Sequence, residues 1–210
     1  MKTYLYGCGG HAKVVLDILK KQQQSVTAFV DDNPAIQTKQ IHGIPVHLAS
    51  EFLSTIAEQS QWIICIGNNQ TRQRIAEKLN HQGHLFTTAI HPSAQIALGV
   101  KIAPGTVVMA NAVINTDTQI GHHVIINTGV TVDHDCQIDD YCHIAPGSAL
   151  CGQVHVKKSV FLGAGSTVCP SLEIGEYTTC GAGSVVIQCL PSHVLAYGCP
   201  AKIRQTNFST

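Results

Sequence analysis

Hydrophobic positions in this chain follow two rhythms, and the rhythm changes near residue 90. From there on every sixth residue is aliphatic: Ile90, Ile96, Ile102, Val108, Ile114, Ile120, Ile126, Val132, Ile138, Ile144, Leu150, Val156, Leu162, Val168, Ile174, Cys180 and Val186. Sixteen of these seventeen are Ile, Val or Leu. The fourth residue after each is usually small, as at Ala94, Thr106, Ala112, Cys136, Cys142, Ser148 and Ser184. Chance does not sustain such a pattern without an insertion, and a fixed short period means a repeat architecture. The small residue and the next aliphatic lie two apart, so they point to one side of an extended segment. The three residues between turn a corner. Gly99, Gly105, Gly129, Gly147, Gly165 and Gly183 fall just before the small residue, where a corner can require positive φ. Three hexads close a triangular coil, and coils stack about 4.8 Å apart by parallel ladders. Seventeen hexads then make between five and six coils, a prism roughly 27 Å long.

Residues 1 to about 85 read as alternating β and α. Strands are expected at Tyr4–Tyr6, Val26–Val30 and Trp62–Ile66, with a short extended piece at Ile44–Val46. Helical periodicity runs from Ala12 to Gln22, with Val14, Val15, Ile18 and Leu19 on one face. Further helices are expected at Glu51–Gln59 and Thr71–Gln82, the latter with Arg72 and Arg74 near its start. Alternation of this kind predicts a parallel sheet. The expected fold is therefore an N-terminal α/β Rossmann-like domain (1–85) followed by an all-β parallel β-helix with a C-terminal tail (86–210).

Composition narrows the function classes. Hydrophobic residues make up 44%, enough for a real core, and charged residues only 12%. The net charge is zero and no basic run occurs, which argues against a nucleic-acid partner. No apolar run approaches the roughly 18 residues of a membrane span, and the N-terminus lacks the apolar stretch of a signal peptide. A cytoplasmic protein is expected. Nine cysteines, an odd number with no Cys-x-x-Cys pair, read as reduced thiols, with Cys136, Cys142 and Cys180 at small core positions.

Candidate chemistry lies in both regions. Gly7, Gly9 and Gly10 follow a strand and open a helix, so backbone N–H groups and the helix dipole can hold a phosphate. The dinucleotide fingerprint is incomplete, because Lys13 stands where a third glycine belongs. With Asp31-Asp32 ending the second strand, a nucleotide-sugar is the better ligand. NAD is the alternative, and no second half-sheet follows to support it. In the repeat region His134 stands at a corner, so its side chain projects outward. Gly152 is one coil further along, leaving space beside it. Ala164 and Ala182 stack on adjacent coils, and His143 faces outward from a strand.

The motifs Tyr-Gly-Cys-Gly-Gly-His (6–11), Asp31-Asp32, Ile66-Gly67-Asn68-Asn69, Val132-Asp133-His134-Asp135 and Gly198-Cys199-Pro200-Ala201-Lys202, set around the hexads, resemble one family. It is that of the bacterial sugar acetyltransferases of the sialic-acid O-acetyltransferase type, which includes N-acetyltransferases of UDP-4-amino-sugars. The resemblance covers nearly the whole chain. It implies a left-handed coil, which the period alone does not give, and a homotrimer with acetyl-CoA bound between neighbouring prisms. It implies His134 as general base, oriented by Asp135 where the family often has Glu, with Asn127 as a further catalytic residue. It implies acetyl-CoA contacts at His143, Gly152, Ala164, Ala182 and Lys202, and UDP-sugar contacts at Gly9, Gly10, His11, Asp31, Asp32 and Gly67. No metal is required. The expected reaction is acetyl transfer from acetyl-CoA to the 4-amino group of a UDP-linked sugar. O-acetylation of sialic acid or a polysaccharide is the nearest rival. A non-catalytic scaffold is another, in which His122, His123, His134 and His143 could hold Zn²⁺ across a trimer.

Overall fold

A computed structural model describes residues 1–36, 40–56 and 58–207. The N-terminal elements are β1 (Thr3–Tyr6), α1 (Gly10–Lys21), β2 (Ala28–Asp31), β3 (Gln40–Ile41), β4 (Ile44–Leu48), α2 (Ala49–Phe52), β5 (Gln61–Ile64), α3 (Asn69–His81) and β6 (Leu85–Phe86). They form one sheet in the order β3-β4-β2-β1-β5-β6. Every pairing is parallel except the β3–β4 hairpin. This is one half of a doubly wound sheet, and its turns after β1, β2 and β5 gather at one end. On α1 the buried stripe is Ala12, Val15, Leu16, Ile18 and Leu19, while Val14, expected on that face, is 43% exposed. The helix expected over 51–59 is a single turn followed by a 3₁₀ turn at Leu53–Thr55. There the hydroxyls of Ser54 and Thr55 donate to the carbonyls of Glu51 and Phe52, and Ile56 is already extended. Ala57, inside that span, lies outside the described residues.

The repeat region is a triangular prism of parallel two-residue strands running from Ala89–Ile90 to Val185–Val186. Face one carries the strands that start at Ala89, Val107, Ile125, His143, Phe161 and Thr179. Face two carries those from Gln95 to Val185, and face three those from Lys101 to Glu173. Each strand pairs with the strand one coil away, as Val108 does with Ile90 and Ile126. The sixth-position aliphatics fill the prism, most of them fully buried. Hydroxyls that replace small apolar residues inside are satisfied by corner carbonyls: Thr106 donates to Gly121 at 2.7 Å and Thr118 to Asp133 at 2.8 Å.

The corners define three edges. Asn127 and Ala164 belong to the edge between faces one and two, His134 to that between two and three, and Tyr141 to that between three and one. At fifteen successive corners, from Gly99 to Gly183, one residue has positive φ. Six of these are the glycines read from the sequence. The other nine, including His123, Asp135, Tyr141 and Ser159, are not glycine. The coil imposes the left-handed conformation on them, at a cost of roughly 1 kcal/mol each.

The N-terminal domain sits on face one. Ala89, Val107 and Ile125, which point outward there, share a core with Val15, Ile18 and Leu19 of α1. A strand at Val194–Tyr197 extends face one and is capped by the antiparallel strand Lys202–Thr206. Among the described residues no helix is long and apolar enough to cross a membrane.

Candidate active site

His134 occupies the edge between faces two and three, half-exposed beside Asp135. Its Nδ1 lies 2.8 Å from Asp135 Oδ2. Asp135 accepts there, so Nδ1 carries the proton and Nε2 keeps its lone pair. Asp133 Oδ1 accepts from the His134 main-chain N–H at 2.9 Å and from Asn115 at 3.0 Å, which fixes the turn. The hydrogen bond to Asp135 and the charge of Asp133 raise the His134 pKa above its ordinary value. The ring lies over Gly152: a β-carbon at that glycine would stand 2.7 Å from both Cε1 and Nε2. The space expected beside His134 is thus filled by its own ring, and the contact Gly152 makes here is with the imidazole.

Asn127 and His143 meet elsewhere, on face one and its edge with face two. The main-chain N–H of Thr128 donates to Asn127 Oδ1 at 2.8 Å, so the amide turns Nδ2 toward His143 Nε2 at 3.1 Å. His143 Nε2 therefore accepts, and its Nδ1 donates to the carbonyl of Gly67 at 3.2 Å. Burial, and then the charge of Arg72, push the His143 pKa down to about 4, so the ring is neutral. Gly67, Asn68, Asn69, His143, Phe161 and Thr179 line a groove of about 340 Å³ between the two domains. Ala164 and Ala182 are exposed on the same edge as Asn127. Exposed Lys202 begins the capping strand that extends face one.

At the end of the N-terminal sheet, Gly9 caps α1 without any side-chain cap, and no acidic residue sits in the first turn. Beta-carbons at Gly9 and Gly10 would meet nothing within 4 Å, so the helix N-terminus is open to an anion. Gly7 differs: with φ of 99° and Cys65 O at 3.0 Å from a β-carbon, it is required by the turn. Asp31 accepts from the Cys8 N–H at 2.9 Å and Asp32 from the Tyr6 hydroxyl at 2.8 Å, tying the first two turns together. His11 is pushed down to about 4 by burial and by Arg72.

Two groups result. Gly9, Gly10, His11, Asp31, Asp32 and Gly67 lie with Asn127 and His143 on the face-one side, and Ala164 and Ala182 lie on the adjoining edge. His134, Asp135 and Gly152 lie on the opposite edge, across the prism.

Family models match both regions: the PglD N-terminal domain over residues 2–79, and the bacterial transferase hexapeptide (six repeats) over 117–152. A solved structure of perosamine N-acetyltransferase from Caulobacter crescentus, a histidine variant in complex with CoA and GDP-perosamine, is 41% identical, with a TM-score of 0.91. The match covers 98% of this chain and 97% of that one. The chain belongs to this family of hexapeptide-repeat sugar N-acetyltransferases. A further family member, the acetyltransferase domain of PglB from Neisseria gonorrhoeae in complex with acetyl coenzyme A, is 32% identical at a TM-score of 0.89. That match covers 96% of this chain and 98% of that one. UDP-N-acetylbacillosamine N-acetyltransferase of Bacillus subtilis is 38% identical over 110 residues, half of each chain. The match thus spans about half the length of that curated relative.

One residue beside the candidate site escapes a reading of the sequence. Arg72 looks like an ordinary residue in the first turn of α3, yet it is 1% exposed. It bonds to carbonyls of Ile66, Gly67, His123, Tyr141 and Cys142 and to Asn69 Oδ1. Asn69 in turn donates to the carbonyls of Ser159 and Val160. The signal available was an Asn-x-x-Arg opening a helix, which by itself is weak. Within one chain the four histidines named for zinc are not gathered. His122 and His123 lie at the edge of faces three and one, His143 on face one and His134 across the prism. Among the described residues no cluster of three or more His, Cys, Asp or Glu could hold a metal.

Proposed function

We propose that this protein transfers acetyl from acetyl-CoA to the 4-amino group of a nucleoside-diphosphate-linked deoxy-amino-sugar, with His134 as general base. The observation that carries the reading is the His134–Asp135 pair at 2.8 Å, which leaves Nε2 free to take a proton. The amine attacks the thioester carbonyl, a C–N bond forms and the C–S bond breaks. His134 Nε2 takes the amine proton and returns it to the departing thiolate as CoA–SH. The open N-terminus of α1, at Gly9 and Gly10, holds the diphosphate. Asn127, His143, Ala164 and Ala182 line the acetyl-CoA groove and Lys202 meets a CoA phosphate. The nucleoside is uridine on the sequence reading, while the full-length likeness to a GDP-perosamine complex favours guanosine.

The base and the acceptor site of one chain are on opposite sides of the prism, so a second chain must supply the missing half. A homotrimer does this: the edge bearing His134 and Gly152 of one protomer abuts the edge bearing Asn127 and Ala164 of the next. The nine cysteines are free, which fits a reducing cytoplasm.

The test is incubation with acetyl-CoA and UDP- or GDP-linked 4-amino-4,6-dideoxy-hexoses, read by mass spectrometry. Gain of one acetyl group, lost in His134→Ala, is expected. Acetylation of hydroxyl acceptors alone would replace the amine reading. Failure to bind acetyl-CoA would overturn transfer altogether.

A further inference from the structure

Arg72 is a buried guanidinium whose hydrogen bonds all go to carbonyl oxygens. Five are main-chain carbonyls, from both domains: Ile66 and Gly67 in the turn after β5, and His123, Tyr141 and Cys142 in the prism. The sixth is the side-chain carbonyl of Asn69. A planar fork spent in this way fixes the turn relative to face one more firmly than an ammonium could. What the turn presents to the groove is the carbonyl of Gly67, and that oxygen accepts from Arg72 at 3.2 Å and from His143 Nδ1 at 3.2 Å. With Nδ1 committed as donor, His143 Nε2 can only accept, and it does so from Asn127. Both ring nitrogens are engaged, so the imidazole has no N–H to offer a thioester. The amide of Asn127, with a second N–H on Nδ2, does.

We infer that Arg72 is a positioning residue for acyl transfer: it pins the Gly67 turn so that His143 is held as the Nδ1–H tautomer and fixes the Asn127 amide as the donor toward the acetyl-CoA carbonyl. The inference deepens the proposed use of this groove and rests on that reading. The charged and titratable groups facing His143 are Arg72 from α3 and His11 from α1, while Gly67, Asn127 and Phe161 complete its surroundings without charge. Arg72 stays charged at neutral pH, since burial lowers its pKa only to about 10. Its charge opposes protonation of His143, and its removal lets that ring titrate nearer the usual range.

Two measurements test this on the full-length protein. In ¹⁵N-histidine NMR of the wild type, assigned by the signal missing in His143→Gln, His143 is expected to show a protonated Nδ1 and an unprotonated Nε2, unchanged from about pH 5.5 to 8. A protonated Nε2, or titration above about pH 6, overturns the inference, and this arm holds whether or not any substrate is turned over. In kinetics, Arg72→Gln should lower kcat at least about tenfold, and in the same NMR experiment its His143 should titrate at a higher pH than in the wild type. Arg72→Lys, which keeps the charge but not the fork, should lower kcat and leave the His143 titration as in the wild type. Unchanged kcat in both variants, or loss of kcat with an unmoved His143 titration in Arg72→Gln, reduces Arg72 to a structural clamp. A wild type inactive toward every acceptor defeats the transfer reading and leaves the tautomer measurement standing.

Discussion

The imidazole of His134 lies over Gly152 of the next coil, 2.7 Å from where a β-carbon would be. Gly152 does not have positive φ, so its glycine is required by this approach and not by the backbone. Gly152→Ala is accordingly expected to displace the ring while leaving the coil intact. Activity should fall about 100-fold, because a base misplaced by an ångström loses that much. Stability should change by less than about 1 kcal/mol in a denaturant titration.

The His134 pKa is raised, mainly by the hydrogen bond to Asp135 and then by Asp133. A general base must be unprotonated, so kcat/KM should fall as pH drops through that raised pKa. Asp135→Asn removes the larger cause, and the acid limb should move down toward 6.5, with a plateau lower by about tenfold or more. A pH–rate profile of the two proteins checks both the direction and the loss.

Acid should destabilise the fold through imidazoles buried as neutral groups. His123 is pushed down to about 3, and His11 and His143 to about 4, each chiefly by burial. Their folded pKa values lie below the unfolded 6.5, so the stability they contribute is full above that value and is lost as pH falls. Between pH 6 and 5 each should cost roughly 1 kcal/mol, about 3 in all. Urea titrations at the two pH values read this directly.

Ser159 combines positive φ with a buried hydroxyl that has no partner among the described residues. Ser159→Gly relieves both, and only the main-chain carbonyl is used by Asn69. A gain of about 1 kcal/mol is expected, set against the extra freedom of glycine in the unfolded chain.

The prism was legible because its core obeys a strict period: the sixth-position aliphatics and the small residues that follow them are what the interior contains. Glycine marked six corners by its own conformational freedom. Tyr141, Asp135 and seven other corners carried no such mark, since stacking imposes their conformation. The helix over 51–59 misled because its periodicity was outweighed by the hydroxyls of Ser54 and Thr55. Around the candidate site, the outward placement of His134 and Asp135 was legible because a corner side chain must face out. That of Arg72 was not, because its partners are carbonyls 51, 69 and 70 residues away that no local pattern foretells.

If one chain supplies the base and its neighbour the acceptor site, two inactive variants should complement each other when mixed. His134→Ala lacks the base. Gly9→Glu, at a position with open space, puts a carboxylate where the diphosphate should bind. Each variant alone should be inactive. Co-expressed in equal amounts, the two should regain about a quarter of wild-type activity, since one adjoining pair in four joins an intact base to an intact acceptor site. Mixed oligomers that remain inactive beside an active wild type would rule out a site shared between neighbouring chains.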